Sequence, residues 1–403
     1  MNTGLLLGAG ASFEIGMPLV SGLTAEFTGY LTPEKLMSLN AGWRLRGGGY
    51  TDTVLHKLSA MVTAPGKTYE EILADVEANK SRIDRNDPMH GLHLLLEQIV
   101  YGILWSRHVR NAQRIAMYLR FLDGIAALAA SNKPLWIFSL NHDLIIESIA
   151  IAAGLRLSVG MREPYSVPMR NRASAIIGEL PMEFIAGDRL ANNGLCFLAE
   201  GELGINLLKL HGALDLFTFR DGQDVARILP LQNTIDGLME SLRAIHEDVF
   251  FPAPTESGRF NAMNEVAYAD KTGEMQFLRR TLLAGALKYD PRRSQVLPPC
   301  FLDEFQRNIE LLDRIASIGF SFSRSDAHVT RIVSSWLNRD KNRRLEIVSP
   351  VRTLLPPELS TFEDQITRAD VTATAYLAQY STQRLTPVEK GLKLFLDRRR
   401  GAG

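Results

Sequence analysis

Cysteine is scarce in this sequence. Cys196 and Cys300 are the only two among 403 residues, and they stand about a hundred positions apart. A disulfide-rich secreted scaffold has many more cysteines. A structural zinc site needs three or four cysteines, or two with two closely spaced histidines, and neither cysteine lies in a CxxC pair. We therefore expect no zinc, and two isolated thiols are typical of a reducing compartment.

An excess of charge of either sign and a long apolar run are also absent. Lys and Arg number 45, as do Asp and Glu, so non-specific nucleic-acid binding is disfavoured as the main activity. No segment approaches the roughly 18 consecutive apolar residues that cross a bilayer. No Lys or Arg precedes the short N-terminal apolar run, as one does in a secretory signal. We therefore expect a cytoplasmic protein that does not enter a membrane.

What the sequence does contain is a series of short apolar runs with helical patterns between them. At roughly 150 residues per domain, the chain corresponds to two or three compact units or to one elaborated domain. The apolar runs, stopped by glycines or polar residues, predict buried strands at 4–7, 135–140, 206–210, 315–320 and 345–348. Strand, glycine turn and helix open the chain, so we predict an α/β fold with a Rossmann-like parallel sheet.

The stretch 31–130 differs from this alternation. Apolar residues recur at three- and four-residue spacing over 69–83 and 93–130, which predicts a large helical insertion after the first strand. We divide the chain into a Rossmann-like domain over 1–355, interrupted by this insertion, and a C-terminal extension over 356–403.

Two further regions carry no clear periodic pattern. Residues 156–204 are rich in Gly, Pro and Met, and they predict irregular structure with short strands near Cys196. Residues 216–275 predict a mixture of loop and helix, with turn residues concentrated over 251–268. No internal repeat and no low-complexity tract occurs.

Four of the predicted strands end in unusual polar or glycine-rich residues. The sequences are GAGAS at 8–12, SLNHD at 139–143, KLHGALD at 209–215 and GFSFS at 319–323. The carboxyl ends of parallel strands lie along one edge of a sheet, and ligands bind at that edge. The convergence of the four motifs predicts a ligand site more strongly than any single one.

Each motif has a functional and a structural interpretation. The glycines after the first strand allow N–H groups to approach a phosphate, or they form an ordinary turn. Asn141 and Asp143 are suited to bind a ligand or to cap the next helix. His211 is placed as a general base, since the unperturbed histidine pKa is about 6.5, or it is a structural histidine. We leave His142 out, because strand alternation turns it away from its neighbours.

In their order along the chain, these motifs resemble the signature elements of the sirtuin-like family. GAGASFEIGMP resembles its glycine signature, SLNHD its Asn-x-Asp element, KLHG its catalytic-histidine element and GFSFSRSD its ribose-binding turn. YEEILADVE at 69–77 resembles a segment of bacterial members with a helical insertion. The resemblance spans residues 4–350 and implies a sirtuin-like fold that takes NAD as substrate.

The resemblance also implies roles by position. Asn141 and His211 are implied to be catalytic, with His211 as the general base that acts on a ribose hydroxyl or a water. The implied contacts with the NAD pyrophosphate are Gly8, Ala9, Gly10, Ala11 and Ser12. Asp143 is implied to line the nicotinamide–ribose pocket. The implied contacts on the adenosine side are Gly319, Ser321 and Ser349.

One departure changes the implied reaction. Deacetylase sirtuins carry a four-cysteine zinc module, which two cysteines cannot build. The chain then resembles NAD-consuming effectors of bacterial anti-phage defence, whose implied reaction is NAD hydrolysis at the nicotinamide–ribose bond. The alternatives are a non-catalytic NAD or ADP-ribose sensor, and a nuclease-associated subunit that contacts nucleic acid through basic stretches at 290–294, 338–344 and 397–403.

Partners follow from the same resemblance. The size and layout are similar to those of the sirtuin-like subunit that pairs with a HerA-type hexameric ATPase, and a short prokaryotic Argonaute is the competing partner. The helical insertion is larger than one sheet face requires, so we expect a homo-oligomer. Whether ADP-ribose or cyclic ADP-ribose is released stays open.

Overall fold

A computed structural model describes most of the chain, namely residues 2–45, 48–81, 84, 87–171, 173, 175–219, 223–247, 249, 265–282, 297–352, 354–381 and 384–399. Most of the turn-rich stretch at 251–268, the basic stretch at 290–294 and residues 400–403 lie outside the described residues.

The strands of the described part are β1 (Thr3–Leu7), β2 (Leu135–Ser139), β3 (Leu157–Ser158), β4 (Glu163–Arg170), β5 (Ile176–Ile185), β6 (Ile205–Lys209), β7 (Leu216–Phe219), β8 (Asp224–Ile228), β9 (Glu265–Ala269), β10 (Met275–Arg280), β11 (Arg314–Ile318), β12 (Arg344–Val348) and β13 (Ile366–Ala369).

Its helices are α1 (Gly10–Phe13), α2 (Val20–Tyr30), α3 (Pro33–Arg44), α4 (Asp52–Val62), α5 (Tyr69–Ala78), α6 (Pro88–Arg110), α7 (Ala112–Leu119), α8 (Gly124–Ser131), α9 (Ile145–Ala152), α10 (Gly187–Asn193), α11 (Ile235–Glu247), α12 (Cys300–Ile309), α13 (Ala327–Arg339), α14 (Pro357–Ser360), α15 (Ala373–Leu377) and α16 (Pro387–Arg399).

Within the described residues, seven strands form one parallel sheet in the order β13-β12-β11-β1-β2-β6-β3. Helices flank the sheet, which confirms the predicted α/β fold with a Rossmann-like parallel sheet. All five predicted strands belong to it. β13 lies after residue 355 and pairs with β12, so the sheet continues into the segment predicted as a C-terminal extension.

The central strands of this sheet are buried along their whole length. Every residue of β2 and of β6 is buried, and Leu5 and Leu6 of β1 have no exposed surface. Parallel strands that are covered on both faces have near-continuous apolar sequences. For this reason, the apolar runs of the sequence predicted the positions of these strands.

Helices α1 to α8 fill the interval between β1 and β2, which confirms the predicted helical insertion after the first strand. Local signals begin several of these helices. Thr68 and Glu71 form a reciprocal capping box at the start of α5. Thr32 caps α3, and Asp87 caps α6, each followed by a proline at the first helical position.

A second sheet corrects the prediction for 156–204 and 216–275. Six described strands form an antiparallel sheet in the order β4-β5-β8-β7-β10-β9. β4 contains Pro164 and Pro168, which argue against a strand in a sequence. It lies at the edge of the sheet, where a missing N–H donor is tolerated, so the prediction of irregular structure was wrong there.

A second apolar core lies against the antiparallel sheet. Leu180 and Phe217 contribute to it from the strands, and Ile245 of α11 packs against them. Helix α11 also contacts α6, α7 and α9. This helix therefore joins the antiparallel sheet to the helices that flank the parallel sheet.

Candidate functional site

A large cavity lies at the carboxyl edge of the parallel sheet. The chain order reverses at β1, which lies between β2 and β11, and open α/β sheets bind ligands at such a switch point. The cavity has a volume of about 1110 Å³. Its walls come from the segments after β1, β2, β6, β11 and β12, from the start of α5 and from the C-terminal residues around Thr372.

The structure brings most of the predicted site residues to this cavity. Ala11 and Ser12 are not among the residues that line it. The other nine do line it, and they are Gly8, Ala9, Gly10, Asn141, Asp143, His211, Gly319, Ser321 and Ser349.

The turn after β1 packs against the turn after β11. Gly10 N donates to Gly319 O at 3.0 Å, and a Cβ on Gly10 would lie 2.7 Å from Gly319 Cα. A Cβ on Gly8 would lie 2.6 Å from Phe320 Cα. A side chain at Gly8 or Gly10 would overlap the facing backbone. The close packing of the two turns therefore requires glycine at both positions, whether or not a ligand binds.

The amides of the turn after β1 are mostly engaged by the protein. Four of them donate to backbone oxygens, those of Gly8, Gly10, Ala11 and Ser12. Among the described residues, the Ala9 amide has no backbone acceptor. The helix that follows, α1, is a single turn long. A pyrophosphate cradle at this turn stays a prediction.

Asn141 links the end of β2 to the glycine turn. Its Nδ2 donates to Gly8 O at 2.9 Å and to Ser12 Oγ at 3.1 Å. Both amide hydrogens are thereby used, which fixes the orientation of the group and leaves the amide oxygen for a ligand. Asn141 therefore does not cap the next helix.

Asp143 does support that helix. Its Oδ1 accepts from Ile145 N, the first residue of α9, at 3.2 Å. Asp143 thus bonds to the first residue of α9 from the position before the N-cap, Leu144, and the capping interpretation fails for Asn141. Asp143 is buried and also lines the cavity, so its contact with NAD stays a prediction.

Lys209 supports the segment after β2 from behind. Its Nζ donates to the backbone oxygen of Asp143 and lies 3.2 Å from Glu147 Oε1. Lys209 and Glu147 are both buried. Burial raises the pKa of Glu147, and the nearby Lys209 charge lowers it. The lysine of the KLHG motif thus has a structural partner in α9.

His211 faces the carboxylate of Asp326, for which the sequence motifs predict no role. His211 Nε2 lies 3.2 Å from Asp326 Oδ1, which is within the separation of an ion pair. Both residues are buried and both line the cavity. Asp326 ends the SFSRSD stretch after β11. The sequence signal that could have indicated Asp326 is its position as an acidic residue shortly after a strand-end motif.

His142 also lines the cavity, which corrects its exclusion. Its ring centroid lies 6.2 Å from that of His211. Strand β2 ends at Ser139, so the alternation of side chains no longer applies three residues later. The exclusion was wrong because it extended the strand too far.

The segment after β11 has unusual backbone geometry. Gly319 has a φ of 65° and Phe322 a φ of 52°. The left-handed region is unfavourable for a bulky residue such as Phe, and strain of this kind clusters at ligand sites. The segment therefore has a conformation that the surrounding structure must hold.

A chain of hydroxyl groups continues from Asp326 to the helical insertion. Ser323 Oγ donates to Asp326 Oδ2 at 2.9 Å and lies 2.7 Å from Ser325 Oγ. Ser325 Oγ donates to Glu70 Oε2 at 2.8 Å. Glu70, in the first turn of α5, lines the cavity. The sequence motifs predict no role for Glu70 or for either serine.

Ser321 and Ser349, two of the three residues predicted to contact adenosine, both line the cavity. Ser349 N donates to Ala369 O of β13 at 3.1 Å, and its Oγ accepts from Val351 N at 3.2 Å. Ser321 is exposed at the cavity. Both serines are placed at the carboxyl ends of strands, and their contact with adenosine stays a prediction.

The basic stretch at 338–344 is partly neutralised. Arg339 and Arg343 form ion pairs with Glu310 at 3.2 and 2.9 Å. This pairing weakens the stretch as a surface for phosphates.

Over the described residues, no group of three or more His, Cys, Asp or Glu could hold a metal ion. None of the described helices combines the length and apolar character of a membrane span.

No protein-family model matches the chain, and no curated protein matches it significantly. The sirtuin-like resemblance therefore stays a proposal that depends on the motifs and on the cavity where they meet.

Proposed function

We propose that this chain hydrolyses NAD at its nicotinamide–ribose bond, which gives nicotinamide and ADP-ribose. The observation that carries the proposal is the meeting of Asn141 with the His211–Asp326 pair at one cavity, at the switch point of a parallel sheet. Ligand cavities measure about 300–1,000 Å³. A volume of about 1110 Å³ suits a ligand as large as a dinucleotide.

The chemistry requires few groups. The C1′–N bond breaks with its electron pair passing to nicotinamide, which leaves as a neutral molecule, and C1′ develops oxocarbenium character. A water attacks C1′, and His211 takes its proton. The Asp326 carboxylate stabilises the resulting imidazolium. The Asn141 amide oxygen orients the ribose or the water. One proton is released per NAD consumed.

Substitution of the two implied catalytic residues tests the proposal. Asn141→Ala and His211→Ala should each lower the rate of NAD loss at least about 100-fold, because each removes a group that acts on the reacting atoms. The measurement is chromatographic quantification of NAD, nicotinamide, ADP-ribose and cyclic ADP-ribose. His56→Ala, on the exposed face of α4, is the matched control and should keep the wild-type rate.

Folding and binding must be measured beside the rate. Thermal unfolding shows whether each variant keeps its fold, and calorimetry shows whether it binds NAD. A folded His211→Ala variant that consumed NAD at the wild-type rate would contradict the site. Binding of NAD by the wild type without turnover, alone or with partner proteins, would instead favour the sensor.

The biological setting of the proposal depends on the resemblance alone. NAD depletion by such a chain would serve anti-phage defence, in the cytoplasm, as a homo-oligomer. A HerA-type hexameric ATPase is the proposed partner, and a short prokaryotic Argonaute is the alternative.

A further inference from the structure

Helix α5 of the insertion reaches the candidate catalytic pair through Glu70. The contacts run from Glu70 to Ser325, from Ser325 to Ser323 and from Ser323 to Asp326, with separations of 2.8, 2.7 and 2.9 Å. Asp326 uses Oδ2 for Ser323 and presents Oδ1 to His211. A continuous series of short contacts thus connects the helical insertion to His211.

Glu70 ties the segment that carries Asp326 to helix α5. Each serine has one hydroxyl hydrogen, and Ser325 and Ser323 donate theirs to Glu70 and to Asp326. The 2.7 Å contact between the two hydroxyl oxygens then has no hydrogen of its own and depends on both carboxylates to hold the serines in place. Loss of the Glu70 acceptor releases Ser325 from α5, so the positions of Ser323 and Asp326 are no longer fixed from the insertion.

Glu70 itself stands on a rigid support. The capping box of Thr68 and Glu71 fixes the first turn of α5. Tyr69 N donates to Thr24 Oγ at 3.0 Å, and the buried Tyr69 ring packs edge-on against Phe27 of α2. Glu70 is therefore held between two anchored neighbours, whereas the segment that it contacts contains the strained Phe322.

We propose that Glu70 is a positioning residue of the active site, which acts through Ser325 and Ser323 to orient Asp326 against His211. This inference rests on the proposed function. It makes the helical insertion a required part of the catalytic site, and it gives any partner or second copy that shifts α5 a direct means of changing the reaction rate.

A double-substitution cycle between Glu70 and Ser325 tests the proposal. Glu70→Ala removes the acceptor of Ser325 and should lower kcat for NAD about tenfold while KM stays within about twofold, because orientation of the base matters in the transition state and not in substrate binding. Ser325→Ala should do the same. The double variant should be no slower than either single variant, because both remove the same contact. Asp75→Ala, on the same helix and paired with Lys67, is the matched control and should keep the wild-type kcat.

Three results would overturn the inference. These are a wild-type kcat in Glu70→Ala, a rise in KM at unchanged kcat, and losses in the double variant that multiply. Equal thermal unfolding midpoints for Glu70→Ala and Asp75→Ala exclude a general effect on the fold. The proposed function is judged separately by His211→Ala. If that variant is inactive and Glu70→Ala is fully active, only the role of Glu70 is lost.

Discussion

Among the glycines that line the cavity, Gly319 has the least room for a side chain. A Cβ on this residue would lie 2.3 Å from Ala11 N, and its φ of 65° is unfavourable for any L side chain. The position therefore combines a close approach with a left-handed backbone. The close approach by itself excludes a Cβ, and the left-handed backbone adds strain for any side chain placed there.

Alanine at this position should destabilise the protein. We expect Gly319→Ala to lower the free energy of unfolding by about 3 kcal/mol, from overpacking and backbone strain together. Urea unfolding measures it. Gly29→Ala is the control, because Gly29 lies in α2 with open space around its Cβ position, and it should stabilise by about 0.5–1 kcal/mol. A loss in Gly319→Ala no larger than about 1 kcal/mol would contradict this account.

At the scale of elements, one ion pair joins β6, α9 and the segment after β2. Lys209 at the end of β6 contacts Glu147 of α9 and the backbone oxygen of Asp143. Both charges are buried, so each depends on the other. This pair fixes the two strand ends that carry Asn141 and His211 relative to one another.

Removal of the cation should destabilise the protein in a pH-dependent way. Lys209→Met leaves Glu147 buried without its partner, and breaking such a pair costs about 3–5 kcal/mol. Burial already raises the pKa of Glu147, and loss of Lys209 raises it further. The folded state then binds more protons than the unfolded state, so the variant is most stable at low pH and loses stability as pH rises through the folded pKa.

Urea unfolding at about pH 5 and about pH 8 checks this expectation. The deficit of Lys209→Met relative to wild type should be smaller at the lower pH. Lys271→Met, which removes the exposed partner of Glu179, is the control and should show little change at either pH. Equal deficits of Lys209→Met at both pH values would contradict the role given to Glu147.

At the scale of the whole molecule, two histidines with lowered pKa values lie in α6 and α11, which pack against each other. His108 of α6 is fully buried, and neither of its ring nitrogens has a hydrogen-bond partner among the described residues. Burial lowers its pKa to about 4. Burial and the neighbouring Arg280 lower the pKa of His246 in α11 to about 3.

These histidines should make the protein sensitive to mild acid. The unfolded state takes up protons near pH 6.5 and the folded state only near pH 4, so stability is fully present above about 6.5 and falls as pH falls. His108 alone should account for a loss of about 2 kcal/mol between pH 7.5 and pH 5. His108→Leu should reduce the loss by that amount, as measured by urea unfolding. A variant with the wild-type pH dependence would exclude His108 as a source.

The edge of the parallel sheet was predictable because its signals are local. Each central strand is a short apolar run followed by its own motif, and parallel strands must place those motifs together. Asn141, His211 and Gly319 could therefore be assigned to one site without knowledge of their distances. The antiparallel sheet was not predictable in the same way, because Pro164 and Pro168 are tolerated only at an edge, and a sequence does not show which strand is the edge.

The sequence by itself determined the α/β class, the helical insertion and the strand ends that meet at the cavity, since these depend on periodicity and on turn residues close together in the chain. Only the tertiary structure decided that Asp326 faces His211, that Asn141 holds the glycine turn and that Glu70 of the insertion joins the same network. These contacts link residues far apart in the chain. They depend on how the helices and strands pack, and no local sequence pattern predicts that packing.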